Sequence, residues 1–479
     1  MAEMTPKERM KINRQHMPER DPFVRNKDFN EVNLGFQEQI AKTEAERCLR
    51  CKDRKCIDGC PVGIDIPVFL DFIAAGDMKG AAECLLGANA LPGITGRVCP
   101  QEEQCEQVCI RGKGKGTPVA IGHLERYIAD WARENMDIKT LLAPPSGFHV
   151  AVVGSGPAGL TAAGELARKG HDVTIFEALH QPGGVLVYGI PEFRLPNKII
   201  DAEVDRLRAM GVKIVTNVVV GRTFTVNELL NEEGFDAMFI ANGAGLPIFL
   251  NIPGENLKGV FSANEYLTRV NLMRAYDFPN ADTPVIRGER VVVLGGGNVA
   301  MDSVRTSKRL GAKESILAYR RSRTEMPARK EEVKHAEEEG IIFKFLTNPK
   351  RILGTEDGWV KGIECSQMEL GEPDASGRRR PIEIKGSEFV IDCDLVVEAI
   401  GTRANPLLTA TTPQLKTNKW GYIEAAEDGA TSMPGVYAGG DIIRGSATVI
   451  LAMGDGKKSA AAMDKYLREV KKTPSRKGK

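Results

Sequence analysis

Long apolar runs are missing from this 479-residue sequence: nowhere do 18 consecutive apolar residues occur without glycine, proline or charge, which argues against a membrane-spanning helix. Met1 to Arg20 is crowded with Lys, Arg and Glu and holds no apolar stretch that could serve as a secretory signal, so the expectation is a cytoplasmic protein. Surplus charge is missing too. Sixty-five basic side chains face 64 acidic ones, for a net charge of +1, and the chain as a whole has no electrostatic pull toward nucleic acid or membrane. Its expected partners are small molecules and other proteins. Aromatics are scarce at 6%, beside 50 glycines and 42% hydrophobic residues, a balance that suits an α/β enzyme and excludes a disordered or fibrous chain. Because single cores stop growing at about 250–300 residues, this length predicts two to four domains.

What is present is unevenly placed. Eight of the ten cysteines fall between Cys48 and Cys109, and that clustering needs a chemical explanation. From about Ile40 to Trp131 apolar residues recur at helical spacing, as in Ile66, Val68, Phe69, Phe72 and Ile73, which predicts a small helical domain ending in an amphipathic helix around His123 to Met136. Residues 141–147 read as a linker, and Val470 to Lys479 as a solvated basic tail. Phe148 to Val153 and Arg290 to Gly297 each show a buried-strand pattern entering a glycine-rich turn, so two nucleotide-binding βαβ units are expected. The Gly435–Asp441 stretch belongs with the first unit, which places the second as an insertion. The expected division is 1–145 for a helical, cysteine-rich domain, 146–287 with 385–479 for the first nucleotide-binding domain, and 288–384 for the second, an α/β protein with two Rossmann-like units.

In Gly154-Ser155-Gly156-Pro157-Ala158-Gly159 the strand feeds a G-x-G-x-x-G turn. Gly154 permits the turn, Gly156 lets backbone approach a pyrophosphate, and Gly159 packs helix on strand, with the phosphates at the positive helix N-terminus. Glu177, 23 residues after Gly154 at the end of the next strand, stands where an acid would hold a ribose. The second turn, Gly295-Gly296-Gly297-Asn298-Val299-Ala300, has alanine at the third small position. Where its ribose acid should stand the chain has Arg320, Arg321 and Arg323, which can grip a 2′-phosphate that a carboxylate would repel, so this site predicts NADP(H). The plain alternative is a solvated charge run.

Cys48-x2-Cys51-x4-Cys56-x3-Cys60-Pro61 is followed by Cys99-Pro100-x4-Cys105-x3-Cys109, a spacing like the ferredoxin pattern in which the cysteine before proline ligates the other cluster. Seven candidate thiolates leave two 4Fe-4S clusters one ligand short. Cys84 sits in a helical apolar context and reads as a packed free thiol, as do Cys365 and Cys393, which lie outside any cluster pattern. Structural zinc, disulfides and a thioredoxin-like Cys48-Leu49-Arg50-Cys51 pair are the competing readings.

With these features, Leu91–Pro100, Gly183-Gly184, Tyr188–Pro196, GGGNVAMD at 295–302 and AGGD at 438–441, nearly the whole chain resembles the glutamate synthase small-subunit family. That family also includes the N-terminal half of dihydropyrimidine dehydrogenase and the large subunit of NADH-dependent reduced ferredoxin:NADP+ oxidoreductase. The resemblance implies FAD at the first turn, with Glu177 on its ribose, Gly183 and Gly184 near its phosphates, and Gly440 and Asp441 near the ribityl chain; NADPH takes the second. It assigns Cys48, Cys51 and Cys56 to one cluster, with Glu125 as a non-cysteine ligand, and Cys60, Cys99, Cys105 and Cys109 to the other. It supplies no catalytic acid or base, and Arg97 and Lys198 stay unassigned.

Glutamine hydrolysis in glutamate synthase needs an N-terminal cysteine nucleophile and a large second subunit, so this chain alone is not expected to make glutamate; dihydropyrimidine dehydrogenase needs a further barrel domain and more cysteines. The Tyr188–Pro196 and Cys99 neighbourhoods look closer to the ferredoxin:NADP+ oxidoreductase large subunits, and to stand-alone chains often named glutamate synthase, than to the proteobacterial small subunit. The expected function is therefore electron transfer between NADP(H), FAD, 4Fe-4S clusters and a protein partner, as the large subunit of a bifurcating enzyme with a small NADH-binding flavoprotein and ferredoxin. The alternatives are a glutamate synthase small subunit feeding an amidotransferase subunit, and an iron-free thiol-disulfide reductase. Anaerobically purified protein should carry about eight irons and one FAD per chain; iron at or near zero would leave the thiol reductase.

Overall fold

The computed structural model describes residues 4–114, 116–136 and 142–472. The first unit is helical. Its helix α1, Ile66–Ala75, starts with Pro67 in the first turn, stops at Gly76, and buries Ile66, Phe69, Leu70 and Ile73, the stripe that the sequence period predicts. Asp77 caps α2, Met78–Ala88, by accepting from the Gly80 backbone nitrogen at 2.9 Å. The almost wholly buried α3, Pro92–Val98, packs on α4, Ile121–Asn135, whose buried face holds Leu124, Ile128 and also Glu125. The expected linker lies along the next unit, its Ala143 and Ser146 nitrogens donating to the carbonyls of Arg168 and Gly170; Leu141 lies outside the described residues.

The chain then enters a parallel sheet: β1, His149–Val153; α5, Pro157–Arg168; β2, Asp172–Phe176; β3, Lys213–Val215; and β4, Ala237–Ile240. It leaves for a second parallel sheet, made by β5, Val260–Ser262; β6, Arg290–Leu294; α6, Asn298–Arg309; β7, Glu314–Tyr319; α7, Lys330–Glu338; and β8, Ile342–Phe345. After an antiparallel sheet spanning residues 347–392, β9, Leu395–Glu398, closes this inserted layer. The chain returns to the first sheet with β10, Val436–Ala438, and helix α8, Val449–Lys465. The sheet orders are β10-β4-β1-β2-β3 and β5-β9-β6-β7-β8. In both, the strand before the glycine turn is buried on both faces, which is why Val150–Val153 and Val291–Leu294 read as continuous apolar runs without alternation. Of the expected C-terminal tail, Val470 and Lys471 belong to a helical turn, Tyr466–Lys471, and residues 473–479 lie outside the described residues. No described helix is long and apolar enough to cross a membrane.

The two joints between units differ in chemistry. One apolar core runs from Ile73 and Leu85 in the helical unit through Val150 and Leu160 to Met453 and Met463, joining the helical unit to the first sheet. Gly456 lets α8 lie directly on α5, since a Cβ there would fall 2.4 Å from the Ala158 carbonyl oxygen. The inserted unit has its own core and is held by ions. Glu339, fully buried, accepts from Arg25 (3.1 Å), Arg305 (2.8 and 2.9 Å) and Arg309 (2.7 and 2.9 Å). Arg194, from the first sheet's unit, makes a two-pronged pair with Asp302 at 2.8 Å and reaches Glu332 at 3.1 Å, while Glu332 also pairs with Arg305. Phe193 lies under the guanidinium groups of Arg309 and Arg305, at 3.8 and 4.7 Å.

Removing one partner leaves buried charge uncompensated, which costs about 3–5 kcal/mol. Glu339→Ala should therefore lower the unfolding free energy by about that much in urea; a change within about 0.5 kcal/mol, the range of ordinary surface substitutions, would show that the network does not hold the unit. Although burial pushes the Glu332 carboxyl up, the Arg194 and Arg305 guanidinium groups hold it down to about 2, from an ordinary 4.5. A depressed carboxylate stabilises the fold above its unfolded value, so this contribution should be complete above about pH 4.5 and fade as the pH falls toward 2.

Candidate functional site

At the first turn Gly154 has φ +96°, and a Cβ on it would fall 2.5 Å from the Ala241 carbonyl oxygen. A Cβ on Gly156 would meet nothing within 4 Å, so the turn opens a cradle at the N-terminus of α5, where Gly156 supplies no side-chain cap to the first N–H groups. Ser155 organises the rest. Its backbone nitrogen and hydroxyl both donate to Glu177 Oε2, at 2.9 and 2.5 Å, and its hydroxyl accepts from the Gly183 nitrogen at 2.9 Å. Gly184 sits above Gly156, its Cβ position 3.0 Å from the Gly156 Cα. Glu177, Gly183 and Gly184 thus meet Gly154–Gly159 in one place. Gly440 and Asp441 close the far side, the Gly440 nitrogen donating to Asp455 at 2.9 Å; burial raises the Asp441 carboxyl to about 6. Ser155 and Asp455 escaped the sequence reading because their role is to hold other site residues, and their spacing carries no motif. The residues fit a dinucleotide such as FAD.

The second turn repeats the pattern with Gly297 before an uncapped α6 and Ala300 buried; Val299 is exposed. Asn298 differs, since its Oδ1 accepts from the Arg329 backbone nitrogen at 2.9 Å. The three arginines after β7 part company. Arg320 is exposed and Arg323 pairs with Glu337 on α7, whereas Arg321 is buried, bound to Asp374 at 2.6 Å and to the Arg379 carbonyl at 2.8 Å. Arg321 therefore pins the antiparallel sheet, leaving Arg320 and Arg323 beside the turn.

The cysteines gather in two groups. Cys48, Cys51, Cys56 and Cys109 line one cavity with Pro67, Leu70, Val119 and Ile121. Cys60, Cys99 and Cys105 form the other with Glu125, each of these thiols pushed up by burial and further by the Glu125 carboxylate. This exchanges Cys109 and Glu125 relative to the partition implied by the resemblance. The physical reason is that the chain turns back after Cys105, while α4 presents Glu125 inward. Both its hydrogen bonds, from Asn89 at 2.8 Å and Thr95 at 2.5 Å, fall on Oε1, which leaves Oε2 for a cation. Burial raises this carboxyl to about 7, against the pull of Thr95 and Asn89.

All ten cysteines are free thiols, and no three of their sulfurs come within 4.8 Å of one another among the described residues. Burial pushes the Cys48 thiol up to about 11 and the Cys56 thiol up to about 12. Cys84 lies apart on α2 and Cys365 and Cys393 in another core. Arg97 is structural, pairing with Glu31 and Asp130 at 2.8 Å; Lys198 is exposed.

The pattern for dihydropyrimidine dehydrogenase domain II, 4Fe-4S cluster, matches residues 25–137, and that for pyridine nucleotide-disulphide oxidoreductase matches 148–456. The NADP(+)-dependent formate dehydrogenase subunit beta of Moorella thermoacetica is 40% identical over 445 residues, 88% of this chain, which spans only 61% of that subunit. The glutamate synthase [NADPH] small chain of Azospirillum brasilense is 37% identical over 469 residues, 96% of each chain. Among solved structures, FprA from Mycobacterium tuberculosis in complex with NADPH shares the fold over 69% of this chain and 86% of its own, with a TM-score of 0.57 and 24% identity.

The grouping has a spectroscopic consequence. Cys109→Ser should perturb the same EPR signal as Cys48→Ser, and Glu125→Ala the same signal as Cys60→Ser, each with loss of iron from one cluster only. If Cys109→Ser instead mirrors Cys60→Ser, the partition implied by the resemblance holds.

Proposed function

The chain belongs to the family of NADP(H)-dependent FAD/iron–sulfur oxidoreductases that contains the glutamate synthase small chains, and from that membership we propose that it is the electron-input subunit of a larger complex, oxidising NADPH and passing single electrons through two clusters to a partner. The observation that carries this reading is the docking of the inner cysteine group on the FAD unit. Lys457 of α8 donates to the carbonyls of Val62 and Ala88, both at 2.7 Å, and holds the Cys60-Pro61 loop against the helix that packs on α5. The Cys48 group lies farther out, with Cys51, Cys56 and Cys109 part-exposed, and is where a partner would meet the chain.

When bound, FAD would supply the exchange between a hydride's two electrons and the single electrons that clusters accept. The chain's own residues position and select. The Gly154–Gly159 turn and the α5 N-terminus would take the pyrophosphate, Glu177 the ribose, and Gly183, Gly184, Gly440 and Asp441 the rim of the FAD site. Gly295, Gly297 and the α6 N-terminus would take NADPH, with Arg320 and Arg323 on its 2′-phosphate. Cys48, Cys51, Cys56 and Cys109 would hold one 4Fe-4S cluster, and Cys60, Cys99, Cys105 and Glu125 the other, where a harder carboxylate donor sets one iron apart.

Coverage of 96% in both directions favours the glutamate synthase small-chain assignment, with an amidotransferase-bearing large subunit as partner. Copurification from the native organism tests it, and a small NADH-binding flavoprotein in place of that subunit would select the bifurcating ferredoxin:NADP+ oxidoreductase. Nucleotide selection is tested by Arg320→Gln. Loss of a charge-assisted hydrogen bond worth about 1.5–3 kcal/mol should lower kcat/KM for NADPH by about 10- to 100-fold, with NADH little changed. An unchanged NADPH/NADH ratio would remove Arg320 from the site.

A further inference from the structure

Arg329 joins the second nucleotide turn to the inner cysteine group. It immediately precedes α7, with its backbone nitrogen donating to Oδ1 of Asn298, the first residue of α6 after Gly297. Pro327, two residues before it, lies 3.9 Å from where a Cβ on Gly297 would stand, so residues 327–329 wall the turn. The side chain leaves in the opposite direction and is buried, 5% exposed. It donates to the Arg97 carbonyl at 3.1 Å, to Gln101 Oε1 at 3.2 Å and to Glu102 Oε1 at 3.4 Å, balanced by Glu331 at 3.0 Å. Arg97 and Gln101 flank Cys99. Gln101 in turn donates to the Thr95 carbonyl at 3.3 Å, and the Thr95 hydroxyl donates to Glu125 at 2.5 Å. One continuous run of hydrogen bonds and packed residues thus links Asn298 to Glu125 through Arg329.

We propose that Arg329 is a positioning residue that couples occupancy of the NADP(H) turn to the reduction potential of the cluster held by Cys60, Cys99, Cys105 and Glu125. This rests on the two-cluster reading above. A cluster gains negative charge when it takes an electron, and a fixed guanidinium in a poorly screened interior favours that state. Its hydrogen bonds also hold the loop that carries Cys99, in the way that neighbours of metal ligands tune a centre. A dinucleotide phosphate placed on the Asn298 turn brings negative charge to the other end of the same residue and opposes reduction. Binding coupling is reciprocal, so reducing this cluster weakens NADP+ binding by the same factor that NADP+ disfavours its reduction.

Potentiometric EPR titration of the intact protein tests the proposal, with and without NADP+. Arg329→Gln should lower the reduction equilibrium constant of the inner cluster about tenfold, about 59 mV for one electron, with a smaller change in the Cys48 cluster. The NADP+-induced shift seen in the wild type should shrink. Equal potentials in wild type and Arg329→Gln, equal shifts in both clusters, or an undiminished NADP+ response would each overturn it. If Arg329→Gln fails to retain iron, Arg329→Lys decides: with charge kept but the forked hydrogen bonds lost, the potential should stay near wild type while the NADP+ response falls, and an unaltered response overturns the proposal. Absence of cluster signals from the wild type would instead defeat the cluster reading itself.

Discussion

A carboxylate buried among three guanidinium groups, Glu339 with Arg25, Arg305 and Arg309, is the constraint on which the mutual placement of the units depends. Charge is expensive to bury, and the expense is recovered only where the geometry is tight and every charge has a partner. The network meets that condition by recruiting from all three units, with Arg25 from the helical unit, Arg194 from the first sheet's unit, and Asp302, Glu332 and Glu339 from the inserted one. Interfaces between domains of one chain are commonly polar and mobile. Here rotation of the inserted unit would strand several buried charges at once, so its nucleotide turn is held at a set position relative to both neighbours.

The other joint works by the opposite physics. A shared apolar core is indifferent to fine orientation, since burial depends on area more than on direction. Orientation comes instead from Lys457 of α8 on the carbonyls of Val62 and Ala88 and from Pro61 seated against Gly454 of the same helix, which in turn lies on α5 at Gly456. The inner cysteine group is thereby fixed to the helix whose N-terminus opens the first turn. Directional hydrogen bonds appear where the inner cysteine group is placed, and non-directional burial supplies the bulk of the adhesion.

The two cysteine groups differ in surroundings as well as membership. Cys99 and Cys105 are buried with Cys60 part-exposed, and their group lies beside the Glu125 carboxylate and Arg329, whereas beside the buried Cys48 the residues Cys51, Cys56 and Cys109 are all part-exposed. Burial, net charge and hydrogen bonding are the levers that set cluster potentials, so two groups built from neighbouring stretches of one chain are differentiated by the fold around them.

Read alone, the sequence determined the element types, the two glycine turns, the insertion of one nucleotide unit in the other and the seven cysteines concerned. Those signals are local: a strand entering G-x-G-x-x-G, an acid at the end of the next strand, a helical apolar stripe as in Ile66, Phe69, Leu70 and Ile73. The tertiary structure alone decided which residues share a site. Cys109 stands four residues from Cys105 and sixty-one from Cys48, yet it lines the cavity of Cys48. Arg321 reads like Arg320 in sequence but turns inward to Asp374, and Glu125, on an amphipathic helix where solvent would be the simpler expectation, is enclosed beside Cys60 and Cys99. Membership of a site is set by which distant segments pack together, and the burial and charge pairing that decide it exist only once the three units have closed on one another.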